Sequence, residues 1–190
     1  MAKLYFKYGA MGSSKTANAL MTRYSYMEKG KKVLLVKPDV ETRDDIKKIK
    51  SRIGLEAECI LWSELETYHP DTIKQYDVII VDEAQFLSES NIDLLAEFVD
   101  YYQIPVLCYG LRTDFTSHLF PGSKRLMELA DEIEELRTVC WCGNSAAMNA
   151  RINKDGKILR SGKQILLGAN DKYVPLCRKH YKEGKIKEEL

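Results

Sequence analysis

The sequence predicts an α/β protein: a mostly parallel sheet flanked by helices, extended at its C-terminal end by a small metal-binding module. Three observations predict it. Apolar strand-like runs alternate with segments of helical period over the first part of the chain, the order that gives a parallel sheet with helices on both faces. A glycine-bounded loop, residues 9–16, joins the first strand to the first helix. Near residue 139 the texture changes to paired cysteines, short strand-like pieces and a Gly-rich stretch, Asn153–Gly168, with no helical period. The boundary is placed at about 138, giving units of 1–138 and 139–190.

Taken in order, residues 3–8 (KLYFKY) read as a buried strand that stops at Gly9. Ala17, Leu20, Met21, Tyr24 and Met27 fall at helical spacing, with Gly30 placed to end that helix. Val33 to Val36 form a second strand, followed by a polar stretch with one helix expected around Asp44–Lys50. Val78-Ile79-Ile80-Val81 is β-branched throughout and apolar on both faces, as a central parallel strand must be. Ile92, Leu95, Ala96, Val99 and Tyr102 mark the next helix, with Ser90 and Asp93 as its capping box. Val106 to Tyr109 are a further strand, and Leu126, Leu129, Ala130 and Ile133 predict a helix running through residue 133. There is no internal repeat and no low-complexity run.

Composition excludes several classes. With 190 residues, 45% hydrophobic and 30% charged, the chain can bury a core and is not expected to be disordered. A net charge of +1, from 29 basic and 28 acidic residues, gives no field that would favour nucleic acid or a membrane surface. No stretch approaches the roughly 20 apolar residues of a membrane helix, and the N-terminus lacks a signal-peptide pattern, so the cytoplasm is the expected compartment. An odd number of cysteines, five, argues against a disulfide framework. Cys59 and Cys108, each in an apolar run, are expected to pack in the core, and His69 and His118 to lie at the surface.

Gly9-Ala10-Met11-Gly12-Ser13-Ser14-Lys15-Thr16 stands where a phosphate-binding loop must stand, after a strand and at the start of a helix whose N–H groups face an anion. Lys15 is expected on the β- and γ-phosphates of a nucleoside triphosphate and the Thr16 hydroxyl on Mg²⁺. Ser14 occupies the position before the lysine where glycine is usual. Asp82-Glu83 closes the central strand, the place from which a carboxylate reaches the metal beside that lysine. The two acids are expected to divide labour, with Asp82 on Mg²⁺ and Glu83 as the general base for a hydroxyl acceptor.

Cys140-Trp141-Cys142 and Cys177-Arg178-Lys179-His180 make two knuckles of two ligands each. Zn²⁺ takes four such ligands in a tetrahedron, and a Cys₃His set with no open position is structural. The first knuckle, C-x-C, is tighter than the usual C-x₂-C.

With these motifs in view, the chain resembles the cytosolic, zinc-containing thymidine kinases over essentially its whole length, and in particular their bacterial members, whose first knuckle is also C-x-C. The resemblance rests on five segments in the family's order: Gly9–Thr16, Asp82–Phe86, Cys108–Phe115, Thr138–Gly143, and Gly168–Tyr173 leading to Cys177–His180. It implies a RecA-like P-loop core and a zinc-ribbon-like C-terminal domain carrying a flexible lasso loop. It implies transfer of the γ-phosphate of ATP to the 5′-hydroxyl of thymidine or deoxyuridine, with Glu83 as catalytic base. Gly9 to Thr16 and Asp82, Glu83, Ala84 and Gln85 would contact ATP, and Cys140, Cys142, Cys177 and His180 would hold a structural zinc. Phe86 and Phe115 would line the thymine pocket, Tyr173 would lie in the segment closing over the nucleoside, and residues 165–172 would hold the base by main-chain hydrogen bonds. A homotetramer and feedback inhibition by thymidine triphosphate are further family expectations.

The segment Glu41-Thr42-Arg43 departs from the family, which more often has aspartate first; Asp39 is an alternative acid, and Arg43 is a candidate phosphate contact. Two rivals remain. Asp82-Glu83-Ala84-Gln85 also looks like a helicase box, but a nucleic-acid-stimulated ATPase wants a basic stripe and usually a second motor domain. A zinc-ribbon scaffold without activity leaves Lys15, Thr16 and Asp82 unexplained.

Overall fold

The computed structural model describes residues 1–40, 47–164 and 172–187. In chain order the elements are β1 (Leu4–Tyr8), α1 (Lys15–Met27), β2 (Val33–Lys37), β3 (Lys48–Lys50), β4 (Glu56–Glu58), β5 (Ile60–Leu61), α2 (Trp62–Leu65) and α3 (Pro70–Ile73). They continue with β6 (Val78–Val81), a 3₁₀ turn at Ala84–Phe86, α4 (Glu89–Tyr102), β7 (Val106–Gly110), α5 (Pro121–Leu129), β8 (Glu132–Glu135), β9 (Met148–Ile152), β10 (Lys172–Leu176) and α6 (Arg178–Glu183).

Six strands form one sheet in the order β5-β2-β6-β7-β1-β8, and every pairing in it is parallel. The alternation of β6 builds a core on each face. Ile79 and Val81 join Leu4, Phe6, Val36 and Cys108 beneath α4 and α5, while Val78 and Ile80 join Leu35, Leu107 and Tyr109 beneath Ala19 and Leu20 of α1. All four β6 side chains are fully buried, which is why that run carries no polar residue. Its C-terminal end, with those of β1 and β7, opens on the loops that carry Gly9, Asp82 and Leu111. Ligands bind at that end in open α/β sheets.

Three local expectations are corrected. The helix expected around Asp44–Lys50 is a strand over its described part: Lys48–Lys50 pairs antiparallel with β4, and Ile49 alone is buried, a period of two. Residues 44–46 lie outside the described residues. The capping box of α4 is Ser88 with Asn91, two residues earlier than Ser90 and Asp93: the Ser88 side chain accepts from the Asn91 N–H at 3.1 Å and Asn91 Oδ1 accepts from the Ser88 N–H at 3.0 Å. The helix expected to run through Ile133 ends at Leu129. Asp131 exchanges two bonds with Leu4, and Ile133 enters β8 because the open edge of β1 offers a full ladder of parallel bonds. Tertiary pairing overrides helical spacing there.

Cys108 is buried in β7, and Cys59, buried too, joins β4 to β5. His118 is exposed, and His69, also exposed, caps α3 by accepting from the Asp71 N–H at 3.3 Å. A third apolar cluster is made wholly of C-terminal residues: Cys140, Ala146, Ala150, Leu176, Cys177 and Tyr181, over the antiparallel pair β9-β10. Among the described residues no helix is long and apolar enough to cross a membrane.

Candidate active site

The loop from Gly9 to Ser14 is shaped by backbone demands. A Cβ on Gly9 would stand 2.3 Å from the Leu136 carbonyl oxygen, so the strand can leave the sheet here only as glycine. Gly12 has φ +79°. Ser14 also lies in the left-handed region, at φ 59° and ψ 28°, and its side chain makes no capping bond to α1. The serine that departs from the usual glycine therefore adopts the glycine-like conformation itself, at a cost of about 1–2 kcal/mol. The Lys15 ammonium folds onto the loop, donating to the carbonyls of Gly9 at 3.2 Å and Ala10 at 2.9 Å and to Ser13 Oγ at 3.3 Å. Burial lowers its pKa.

Asp82 leaves the end of β6 buried, with Oδ2 accepting from the Thr16 hydroxyl at 2.9 Å and Oδ1 without a hydrogen-bond partner among the described residues. Burial, and then the adjacent Glu83 charge, push its carboxyl up to about 7. Adjacent oxygens around octahedral Mg²⁺ at its usual bond length are about 2.9 Å apart, so the Thr16–Asp82 spacing and the orphaned Oδ1 fit such an ion. Glu83 is a second non-glycine residue in the left-handed region, at φ 54° and ψ 35°. Gln85 steers it: its Nε2 donates to Glu83 Oε2 while its Oε1 accepts from the Leu111 N–H at 3.0 Å, tying the carboxylate to the end of β7.

These groups face one cleft of about 550 Å³, within the range of small-molecule sites. Met11, Gly12, Ser14, Lys15 and Thr16 line it, as do Asp82, Glu83 and Gln85, and so do the aromatics Phe86, Phe115, Phe120 and Tyr173. Gly9, Ala10, Ser13 and Ala84 do not. Gly9 and Ala10 present carbonyls to Lys15, Ser13 is buried behind them, and Ala84 is fully buried under the sheet end. Phe86 packs edge-on against Phe120 with ring centroids 5.6 Å apart. Phe115 is fixed from the C-terminal part: Tyr181 Oη donates to its carbonyl, and the Arg151 guanidinium stands 5.0 Å from its ring centre.

The second cluster is Cys140, Cys142, Cys177 and His180, whose ligand atoms all lie within 4.8 Å of one another. His180 Nδ1 is 3.5 Å from the sulfurs of both Cys140 and Cys177. A tetrahedral zinc with ordinary Zn–S and Zn–N bonds sets those atoms about 3.6 Å apart, so the donor set fits zinc in type and spacing. Trp141 stacks on the His180 ring, centroids 4.2 Å apart and planes 16° apart, and holds its orientation. The backbone N–H of Asn144, with its side-chain amide 3.3 Å from the sulfur, lowers the pKa of Cys142 and favours the thiolate a metal needs.

Sequence reasoning missed several cleft residues. Asn149 of β9 is buried and bridges two loops, accepting from the Met11 N–H at 2.8 Å and donating to the Thr113 carbonyl at 2.9 Å. Asp114 gathers the Thr116 and His118 N–H groups and receives Gln164 at 2.9 Å. Lys37, Lys48, Lys50 and Arg52 also reach the cleft. Asp114 lies within the Cys108–Phe115 segment, in which the resemblance gives only Phe115 a role; the others belong to no short motif, so no spacing could mark them. Asp39 lies outside the cleft lining and accepts from the backbone N–H and hydroxyl of Ser63. Glu41, Thr42, Arg43 and the loop segment 165–171 lie outside the described residues.

A family model described as thymidine kinase matches residues 2–181. A thymidine kinase of Legionella pneumophila is 43% identical over 97% of this chain and 91% of its own length. Those of Zymomonas mobilis and Pasteurella multocida are each 44% identical over 96% of this chain, covering 97% and 98% of their own lengths.

Proposed function

Because the chain belongs to the thymidine kinase family, we propose that its cleft binds ATP and a thymidine-type nucleoside side by side and moves the γ-phosphoryl group from one to the other. One observation carries this: the P-loop lysine, the Thr16–Asp82 pair, Glu83 and four aromatic rings (Phe86, Phe115, Phe120 and Tyr173) all face a single cavity. The acceptor is the 5′-hydroxyl of thymidine or deoxyuridine. As the O5′–phosphorus bond forms and the bond from the γ-phosphorus to the β,γ-bridging oxygen breaks, the hydroxyl proton passes to the Glu83 carboxylate, and ADP leaves with the bridging oxygen.

Lys15 exchanges its loop carbonyls for the β- and γ-phosphates, and the backbone from Gly9 to Thr16 cradles them. Thr16 and Asp82 would hold Mg²⁺, which would neutralise charge on the phosphates. Gln85 keeps Glu83 from turning into solvent. Phe86, Phe115 and Tyr173 give the base its stacking and edge surfaces. We place the ATP-binding unit at 1–138 and a zinc-pinned unit at 139–190, with Cys140, Cys142, Cys177 and His180 as ligands of one structural zinc. A cytoplasmic homotetramer inhibited by thymidine triphosphate follows from the same family reading.

The test incubates the protein with labelled ATP and, separately, thymidine, deoxycytidine and single-stranded DNA. Label appearing on thymidine is the expected result. Phosphate release stimulated by DNA, with no labelled nucleotide formed, would replace this reading with that of a nucleic-acid-dependent ATPase.

A further inference from the structure

We propose that Arg52, at the tip of the β3–β4 hairpin, binds the phosphoryl group in flight, making this hairpin a second phosphate clamp across the cleft from the P-loop. The inference rests on the kinase reading above and adds a catalytic residue to it.

The hairpin is fixed at its base. Ile49 is buried among Ala19 and Leu20 of α1, Leu35 and Cys59. Lys37 Nζ donates to the Lys48 carbonyl at 2.9 Å, and the Cys59 N–H donates to the Lys47 carbonyl at 2.9 Å. With Ile49 turned to the core, the alternation of a strand sends Lys48 and Lys50 to the other side, and both line the cleft. The tip is equally defined. Ser51, nearly buried, donates its N–H to the Leu55 carbonyl at 2.8 Å, and its Oγ accepts from the Leu55 N–H at 3.0 Å. That closed turn holds Arg52 on the cleft wall beside Ile53.

The charges decide what Arg52 is for. Lys48 and Lys50 each have Glu56 within 4.0 Å, at 3.9 and 3.8 Å. Arg52 makes no hydrogen bond or ion pair among the described residues, although it lines the same cleft as Lys15. Lys15 has the carboxylates of Glu83 and Asp82 near it, but Arg52 has no counter-charge among the described residues, and an anion with several oxygens in the cleft would supply one. A triphosphate is such an anion. A guanidinium suits the transferred group better than an ammonium, because it is always charged and its fork meets two oxygens at once. During transfer, charge spreads over the three equatorial oxygens while the bond to O5′ forms and the bond to the leaving ADP oxygen breaks. Arg52 neither takes nor gives a proton in that step; Glu83 receives it.

The experiment compares wild type with Arg52→Ala, Arg52→Gln and Arg52→Lys, measuring kcat and both KM values with ATP and thymidine. Melting temperature and zinc content check that each variant is folded. Arg52 is exposed, and the Gln variant keeps most of the stem if the Ala variant proves unstable. The expected result is a kcat lower by about a hundredfold in Ala and Gln, the scale of one lost transition-state donor. Thymidine KM should stay within about twofold, Lys should recover only part of the loss, and added guanidinium ion should partly rescue Ala. A kcat within about threefold of wild type overturns the proposal, as does a rise in ATP KM alone, which would place the guanidinium on bound donor and not on the group in transfer. If wild type itself transfers no phosphate to thymidine, the kinase reading fails and takes this with it; normal wild-type turnover beside an indifferent variant removes Arg52 alone.

Discussion

Around Cys140, Cys142, Cys177 and His180 the donors already face one another at tetrahedral spacing, Trp141 backs the imidazole, and Asn144 polarises a sulfur. Around Asp82 the arrangement is the reverse. A buried carboxylate oxygen has no partner among the described residues, the nearest lysine is folded onto its own loop, and both Ser14 and Glu83 sit in the left-handed region. One corner presents four donors, enough to complete a tetrahedron. The other stores unmet bonding and backbone strain, which persist only where the surrounding structure imposes them and something else is to be bound. On the proposed reading, the contrast separates a site that would build the molecule from a site that would do its chemistry.

The largest expected effect breaks the first corner. Cys177→Ala removes a ligand from a set whose metal affinity is also folding energy, on the order of 10 kcal/mol for structural zinc. Zinc should fall from about one per chain to none, and protease should cut within 139–187 while the sheet survives. Turnover should collapse as well, since Asn149, Tyr173 and the supports of Phe115 all come from that segment. Full activity in zinc-free protein would end the structural assignment.

Next comes the second corner. Glu83→Gln keeps shape and removes the base, so kcat should fall by roughly a hundredfold or more, with zinc content unchanged. Stability should hold or rise slightly, because the like charge beside Asp82 is gone. Near-normal turnover would show that the proton goes elsewhere.

The sheet was legible because its signals are local: a fully apolar β6 and glycine-bounded strand ends. That the four Cys/His side chains meet and that the Gly9–Thr16 loop borders the cleft was legible because each is a short motif. What stayed hidden depends on neighbours far along the chain. Ile133 has a helix's spacing and lies in β8 because β1 has an open edge. Ile49 looked helical among polar neighbours, and the hairpin exists because α1 offers that one side chain a place to bury. Asn149 lies 138 residues from Met11, and no pattern joins them.

The smallest predicted effect tests whether strain belongs to the P-loop corner. Ser14 makes no capping bond, so its hydroxyl contributes nothing to α1 that glycine would forfeit. Ser14→Gly should relieve about 1–2 kcal/mol of left-handed strain, offset by about 0.4–1 kcal/mol of extra freedom in the unfolded chain. The net is a gain of roughly 0.5–1 kcal/mol, or about 1–4 °C in melting temperature for a chain of this size. Zinc content should not change, and kcat should stay within about twofold because the backbone that cradles phosphate keeps its course. Ser14→Ala separates strain from side-chain loss, since it removes the hydroxyl and keeps the Cβ that makes φ 59° unfavourable. If the alanine variant melts as high as the glycine variant, backbone strain is not what Ser14 carries, and the contrast between the two corners rests on Asp82 and Glu83 alone.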